Sequence, residues 1–218
     1  GRVDRDRRRR RRRRRIVMLA LTLAVLGATA FAVVQWVLPV LSSVVGGTNV
    51  VGTKNVIRLQ EKRGFRLVHF SSSEVYGDWP ELMVETVMDE HEIKQMNDYA
   101  MTKWVNEMQV RNSAEQYGTE SVVVRIFNTY GPGEYYSPYR SVNCRFMYCA
   151  LMGLPWVVFR GYGRTSSYVE DTVRTLATIS DRFRPGEVYN VGGDAYHTIE
   201  ELSDLIVRAT GADPGLVE

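Results

Sequence analysis

From residue 49 onward, short apolar runs alternate with segments of helical period. Residues 66–71 (RLVHFS) are apolar and end in serines, the mark of a buried strand. Residues 121–127 (SVVVRIF) form the strongest β-branched run in the chain, and residues 154–159 and 187–191 read as further short strands. Helical patterns fall at 50–62, 99–117, 142–152, 169–181 and 198–210. The fourth carries Glu170 and Asp171 in its first turn, where negative charge complements the dipole. The last begins with Thr198 as N-cap and Glu201 three residues on, a capping box, and Gly211 is placed to close it. Strands that alternate with helices predict an α/β fold built on a parallel sheet covered on both faces. No internal repeat is visible.

The pattern before residue 49 is different. Arg7 to Arg15 is an unbroken run of nine arginines, so residues 1–15 are expected to form a disordered or solvated arm. Residues 16–41 hold no charge and one strongly polar side chain, Gln35. As one helix this stretch would be ~39 Å long, enough to cross a ~30 Å hydrocarbon core with tilt. It is apolar all round, as a helix in lipid or in a core would be. The arginines would hold its N-terminal end in the cytoplasm, with Pro39 near the far end. The chain is thus expected to be membrane-associated through one N-terminal helix where that segment is genuine, and cytoplasmic where it is not. Residues 42–47 form a small-residue linker.

Composition sharpens this division. The net charge of +3 comes from 28 Lys and Arg against 25 Asp and Glu. Residues 1–15 hold 11 Arg and 2 Asp, so the remainder holds 17 basic against 23 acidic side chains. An acidic body offers no basic face for specific binding of nucleic acid, and the arginine run has no interleaved aromatic residues for base stacking. Two cysteines, Cys144 and Cys149, five apart, make neither a disulfide framework nor a metal site, and no metal is expected.

Candidate chemistry begins at Tyr99 and Lys103. On a helix, positions i and i+4 share a face, and an ammonium there can lower a phenol's pKa. A tyrosine so tuned can exchange a proton with a substrate hydroxyl. The pair alone is common on helices. However, Ser71, Ser72, Ser73 and Glu74 directly follow the strand at 66–70, where open α/β sheets bind ligands. A strand, then serines, then Y-x-x-x-K about 25 residues later is a far rarer combination.

These segments carry a resemblance. FSSSEVYGD from Phe70 resembles the catalytic serine segment of the extended short-chain dehydrogenase/reductases, the NAD-dependent nucleotide-sugar epimerase/dehydratase family. NDYAMTK from Asn97 resembles its Tyr-Lys helix, and RIFNTYGP from Arg125 its following strand and turn. Arg164 in RTSSYVED, YNVGG from Tyr189 and NVVGTKN from Asn49 are similar to three further motifs, so the likeness runs from about residue 48 to 218. The resemblance implies that Ser72 and Tyr99 bind the reacting hydroxyl, Tyr99 is the general base, and Lys103 holds the nicotinamide ribose, so that Tyr99 and Lys103 also bind the cofactor, NAD. It implies that Ser73, Asn128 and Arg164 contact a nucleotide-sugar substrate, that Glu74 is catalytic, and that a small substrate lobe starts near residue 130. Relatives that eliminate water usually carry Asp-Glu where this chain has Ser73-Glu74, and Ser-Glu resembles the decarboxylase branch more closely. Family members are often homodimers.

The sequence also departs from the family. No G-x-x-G-x-x-G follows a strand, although the family begins with such a turn at a helix N-terminus that takes the pyrophosphate. The expectation is a partial Rossmann-like sheet, a fragment of an enzyme, that by itself binds NAD very weakly or not at all. The rival expectation is a membrane-anchored, non-catalytic protein that reuses the fold.

Overall fold

The computed structural model describes residues 46–137 and 140–218. The arm expected at 1–15 and the apolar helix expected at 16–41 lie outside the described residues. Among the described residues no helix is long and apolar enough to cross a membrane.

Two small sheets organise residues 49–218. The first is parallel, in the order β1 (Leu67–Ser72), β2 (Ser121–Ile126), β5 (Val188–Val191). The apolar run at 121–127 becomes β2, the central strand, because both its faces are covered: Ser121 to Arg125 are all buried. Helices α1 (Gly52–Arg63) and α3 (Asp98–Tyr117) cover one face, with Ile57 and Val110 packed on Val123, Leu67 and Val188. At about 25 cal/mol per Å2 of apolar surface removed from water, this layer is a main source of stability.

Helix α3 starts at Asn97, whose side chain caps the Ala100 amide at 2.8 Å, and stops at Gly118 in the left-handed conformation. Between β1 and α3 lie a 3-10 turn (Ser73–Tyr76) and a four-residue helix α2 (Val87–Glu90). Gly77, with φ 52°, closes the 3-10 turn; a Cβ there would run into the Lys94 carbonyl.

The second sheet was not expected. Its order is β3 (Asn128–Tyr130), β4 (Gly163–Tyr168), β6 (Tyr196–Thr198), with β3 and β4 parallel and β4 and β6 antiparallel. Helices α4 (Val142–Met152), α5 (Val169–Asp181) and α6 (Ile199–Thr210) complete the chain. The expected capping box is formed by Thr198 and Glu201, and Gly211 ends α6 with φ 70°. Phe146, Ala150, Trp156, Ile199 and Ile206 make a separate apolar cluster around α4 and α6. The strand expected at 154–159 is reduced to a single bridge, Trp156 against Val217. Trp156 and Val158 are used in that cluster, where the Trp156 indole donates to Ser203 at 3.0 Å.

Candidate active site

The C-terminal end of β1 delivers the serines. Ser72 is extended, and its Oγ accepts from the Glu74 amide at 3.2 Å as the chain enters the 3-10 turn. Ser72 lines the same cavity as the Tyr99 phenol and acts on its ionisation. Tyr99 stands in the first turn of α3 and is 39% exposed. Lys103, one turn on, lies 5.6 Å from the Tyr99 ring centre, and its Nζ donates to the Phe70 carbonyl at 2.9 Å.

Ser72, Ser73, Glu74, Tyr99, Lys103 and Asn128 line one cavity of about 360 Å3. Arg164, on β4, does not line it. It donates to the Asn128 side chain at 3.3 Å and lines a neighbouring cavity of about 680 Å3. That larger space also presents Arg145 and the aromatic rings of Tyr136, Trp156, Phe159 and Tyr162. A third space of about 510 Å3 is lined by Ser73, Asn128 and Arg164 together, so it borders both cavities.

Electrostatics modify one expectation. Burial pushes the Tyr99 phenol above its ordinary pKa; the Ser72 hydrogen bond pulls it back, and the Glu74 charge pushes it up again. Burial lowers the pKa of the Lys103 ammonium, which is engaged by the Phe70 carbonyl. At neutral pH the phenol is therefore protonated. Glu74 is exposed and accepts from the Asn97 side chain at 2.8 Å, which ties the serine turn to the start of α3.

Beneath the cavity lies a network that the sequence pattern did not single out. Glu107 and Arg125 are both fully buried and paired at 2.8 Å. Glu107 lies four residues beyond Lys103, a spacing that was available in the sequence. His69, on the same face of β1 as Ser71, is buried with no partner for Nε2 among the described residues. Burial first, then the charge of Lys103, bring the imidazole down to about 4.

The residues fit the nicotinamide-ribose end of NAD, since Tyr99 and Lys103 present a hydroxyl and an ammonium to one cavity. Among the described residues, no glycine-rich turn leads directly from a strand of the parallel sheet into a helix. Among the described residues no group of three or more acidic, His or Cys side chains could hold a metal.

Comparison with known proteins agrees with this fold. The family model described as the NAD dependent epimerase/dehydratase family matches residues 41–192. UDP-N-acetyl-alpha-D-glucosaminuronate decarboxylase of Bacillus cytotoxicus is 30% identical over 178 residues, covering 78% of this chain and 54% of that protein. The crystal structure of dTDP-glucose 4,6-dehydratase from Streptomyces venezuelae with NAD bound matches with a TM-score of 0.72 at 28% identity, over 81% of this chain and 54% of the other. UDP-glucose 4-epimerase from Thermotoga maritima with UDP-glucose matches with a TM-score of 0.68 at 27% identity, over 84% and 58%. The chain spans about half the length of the curated relatives it matches.

Proposed function

The chain belongs to the NAD dependent epimerase/dehydratase family, and we propose that it carries the proton-transfer and substrate-binding part of a nucleotide-sugar enzyme that acts through oxidation at a sugar hydroxyl. The observation that carries this reading is the meeting of Ser72, Tyr99 and Lys103 in one cavity, where Ser72 acts on the ionisation of the Tyr99 phenol.

In this reading Ser72 and Tyr99 hold the sugar hydroxyl, and Tyr99 takes its proton as the neighbouring carbon is oxidised and later returns it. Bound NAD would supply the hydride acceptor, and the positive charge of its ring would favour the phenolate. Lys103, within 5.6 Å of the Tyr99 ring, would support the same charge while its ammonium binds the nicotinamide ribose. Arg164 and Arg145, among aromatic rings, suit a nucleoside diphosphate: guanidinium groups for phosphate and flat faces for the base. Asn128, bonded to Arg164, would align the sugar between the two cavities. Ser73-Glu74 in place of Asp-Glu favours a decarboxylase over a dehydratase, with an epimerase as the further branch. The uninterrupted apolar stretch at 16–41 supports a membrane anchor as a second part of the reading; alkaline extraction that released the chain from membranes would refute it.

The test of the function is ligand binding by the 218-residue chain. Saturation-transfer NMR with UDP-glucuronic acid and with dTDP-glucose should show binding that Arg164→Ala weakens about tenfold. Tyr99→Phe should leave that affinity close to its original value. Absence of binding to either compound would overturn the reading.

A further inference from the structure

Tyr99, Lys103 and Glu107 follow one another at intervals of four along one face of α3. The first two reach the cavity, while Glu107 turns into the protein. Its carboxylate accepts the hydroxyl proton of Ser71 and two donors of Arg125, Nε at 3.1 Å and Nη2 at 2.8 Å. Strand register sets Ser71, Arg125 and Asn190 side by side across β1, β2 and β5. The Tyr76 hydroxyl joins the last two, accepting from Arg125 at 2.9 Å and donating to Asn190 at 2.8 Å. Arg125 Nη1 also reaches the Glu85 carbonyl at 2.9 Å. One residue further along β1 and β2, the next row is Ser72 and Ile126, which line the cavity.

We infer that Glu107 and Arg125 are positioning residues: their buried pair fixes the rotation and height of α3 on the sheet, and so brings the Tyr99 hydroxyl to Ser72. Three observations converge on this. Ser71 and Ser72 are adjacent, so the hydrogen bond from Ser71 to Glu107 sets the distance from α3 to the very residue that meets Tyr99. A second tether, from Asn97 to Glu74, holds the other end of the same helical face, so Tyr99 and Lys103 lie between two fixed points. Finally, burying an ion pair adds little net stability compared with apolar side chains of the same shape, but it is satisfied in only one register. A pair of charges with no exposure at all thus serves alignment more than cohesion. The inference rests on the catalytic reading of the Ser72–Tyr99 contact.

The experiment titrates Tyr99 in the full chain by NMR of ring-labelled tyrosine, with the resonance assigned from Tyr99→Phe. In the otherwise unaltered chain, Ser72→Ala removes a donor to the phenolate and should raise the Tyr99 pKa on the order of one unit. In a Glu107→Gln background the same Ser72→Ala change should have almost no effect, because the contact has already been lost. Ser71→Ala keeps the ion pair and cuts only the strand-side bond; it should diminish the Ser72→Ala shift, and it decides the matter alone if Glu107→Gln does not fold. If the pair were merely structural, Glu107→Gln or Ser71→Ala would lower thermal stability and leave the Ser72→Ala shift whole, which overturns the inference while the catalytic reading stands. If Ser72→Ala shifts nothing in the unaltered chain, the catalytic reading falls and the inference falls with it.

Discussion

The two sheets are built on opposite terms. In the first sheet the central strand β2 is buried on both faces, and the buried Glu107–Arg125 pair beneath it is hydrogen-bonded on both sides. In β3, β4 and β6 the strands are short and polar, NTY, GRTSSY and YHT, and half open to solvent. The first sheet ends in the groups proposed to move protons, Ser72 among them. The second supplies Asn128 and Arg164, the groups proposed to hold the substrate. The difference teaches that rigidity has been concentrated where two hydroxyls must meet, and adaptability where a larger ligand must be grasped.

The strongest way to break the contrast is to unpair the first sheet's buried charges. Arg125→Ala leaves the fully buried Glu107 carboxylate without a neutralising charge and should cost about 3–5 kcal/mol, measured by urea denaturation. A loss below about 1 kcal/mol would show that water reaches this network and that the first sheet is no more rigid than the second.

Acid should act on the same sheet. His69 has a folded pKa of about 4 against 6.5 when unfolded. The unfolded chain therefore binds the proton first. Stability associated with neutral His69 is complete above pH 6.5 and is lost as pH falls from 6.5 to about 4, for a total of about 3 kcal/mol. Denaturation midpoints across this window should show the fall, and His69→Leu should flatten it. A slope that persists unchanged in His69→Leu assigns the effect to other groups.

The second sheet should yield to crowding instead. A Cβ on Gly193 would collide with the Ser166 carbonyl of β4, and nearby backbone leaves little room to yield. Gly193→Ala should cost about 1–3 kcal/mol and displace β4, weakening nucleotide-sugar binding through Arg164 while the Tyr99 titration stays as it was. Unaltered binding would separate Arg164 from the substrate.

What could be read from the sequence follows the same divide. β1, β2, β5 and the five long helices were legible because burial on both faces, or on one stripe, writes apolar periodicity into the residues. The strands of the second sheet were not, since Asn128, Thr129 and Ser166 pair through backbone and carry no apolar alternation. The run at 154–159 misled for the converse reason: Trp156 and Val158 pack in the cluster around α4 and α6, and its backbone pairs with the last residues of the chain. In the site, Ser72, Tyr99, Lys103 and Asn128 could be named from motif order. The direction of the Tyr99 pKa could not, because it depends on how deeply the phenol is buried. Glu107 escaped notice because an acidic side chain on a helix usually faces water, and only the register of three strands reveals what it holds.

The smallest expected effect tests whether the two sheets respond separately. Thr198 ends β6 and caps α6; its hydroxyl accepts from the Glu201 amide at 3.1 Å, and the Glu201 carboxylate accepts from the Thr198 amide at 2.9 Å. Thr198→Ala keeps the backbone pairing of β6 and removes one of these two bonds, which leaves a helix N–H unsatisfied and should cost about 1 kcal/mol. Ile199 and Ile206 anchor α6 in the cluster with Phe146 and Trp156, which shares no buried residue with the cluster beneath β2. Strain at the cap therefore passes first to α4 and α6, and only by complete unfolding to the first sheet. Amide exchange in α4 and α6 should quicken about fivefold in Thr198→Ala, the factor that 1 kcal/mol represents, while the amides of β2 keep their rates. Equal acceleration in β2 would mean that residues 49–218 open as a single cooperative unit, and that the contrast between the sheets is one of composition without a matching difference in stability.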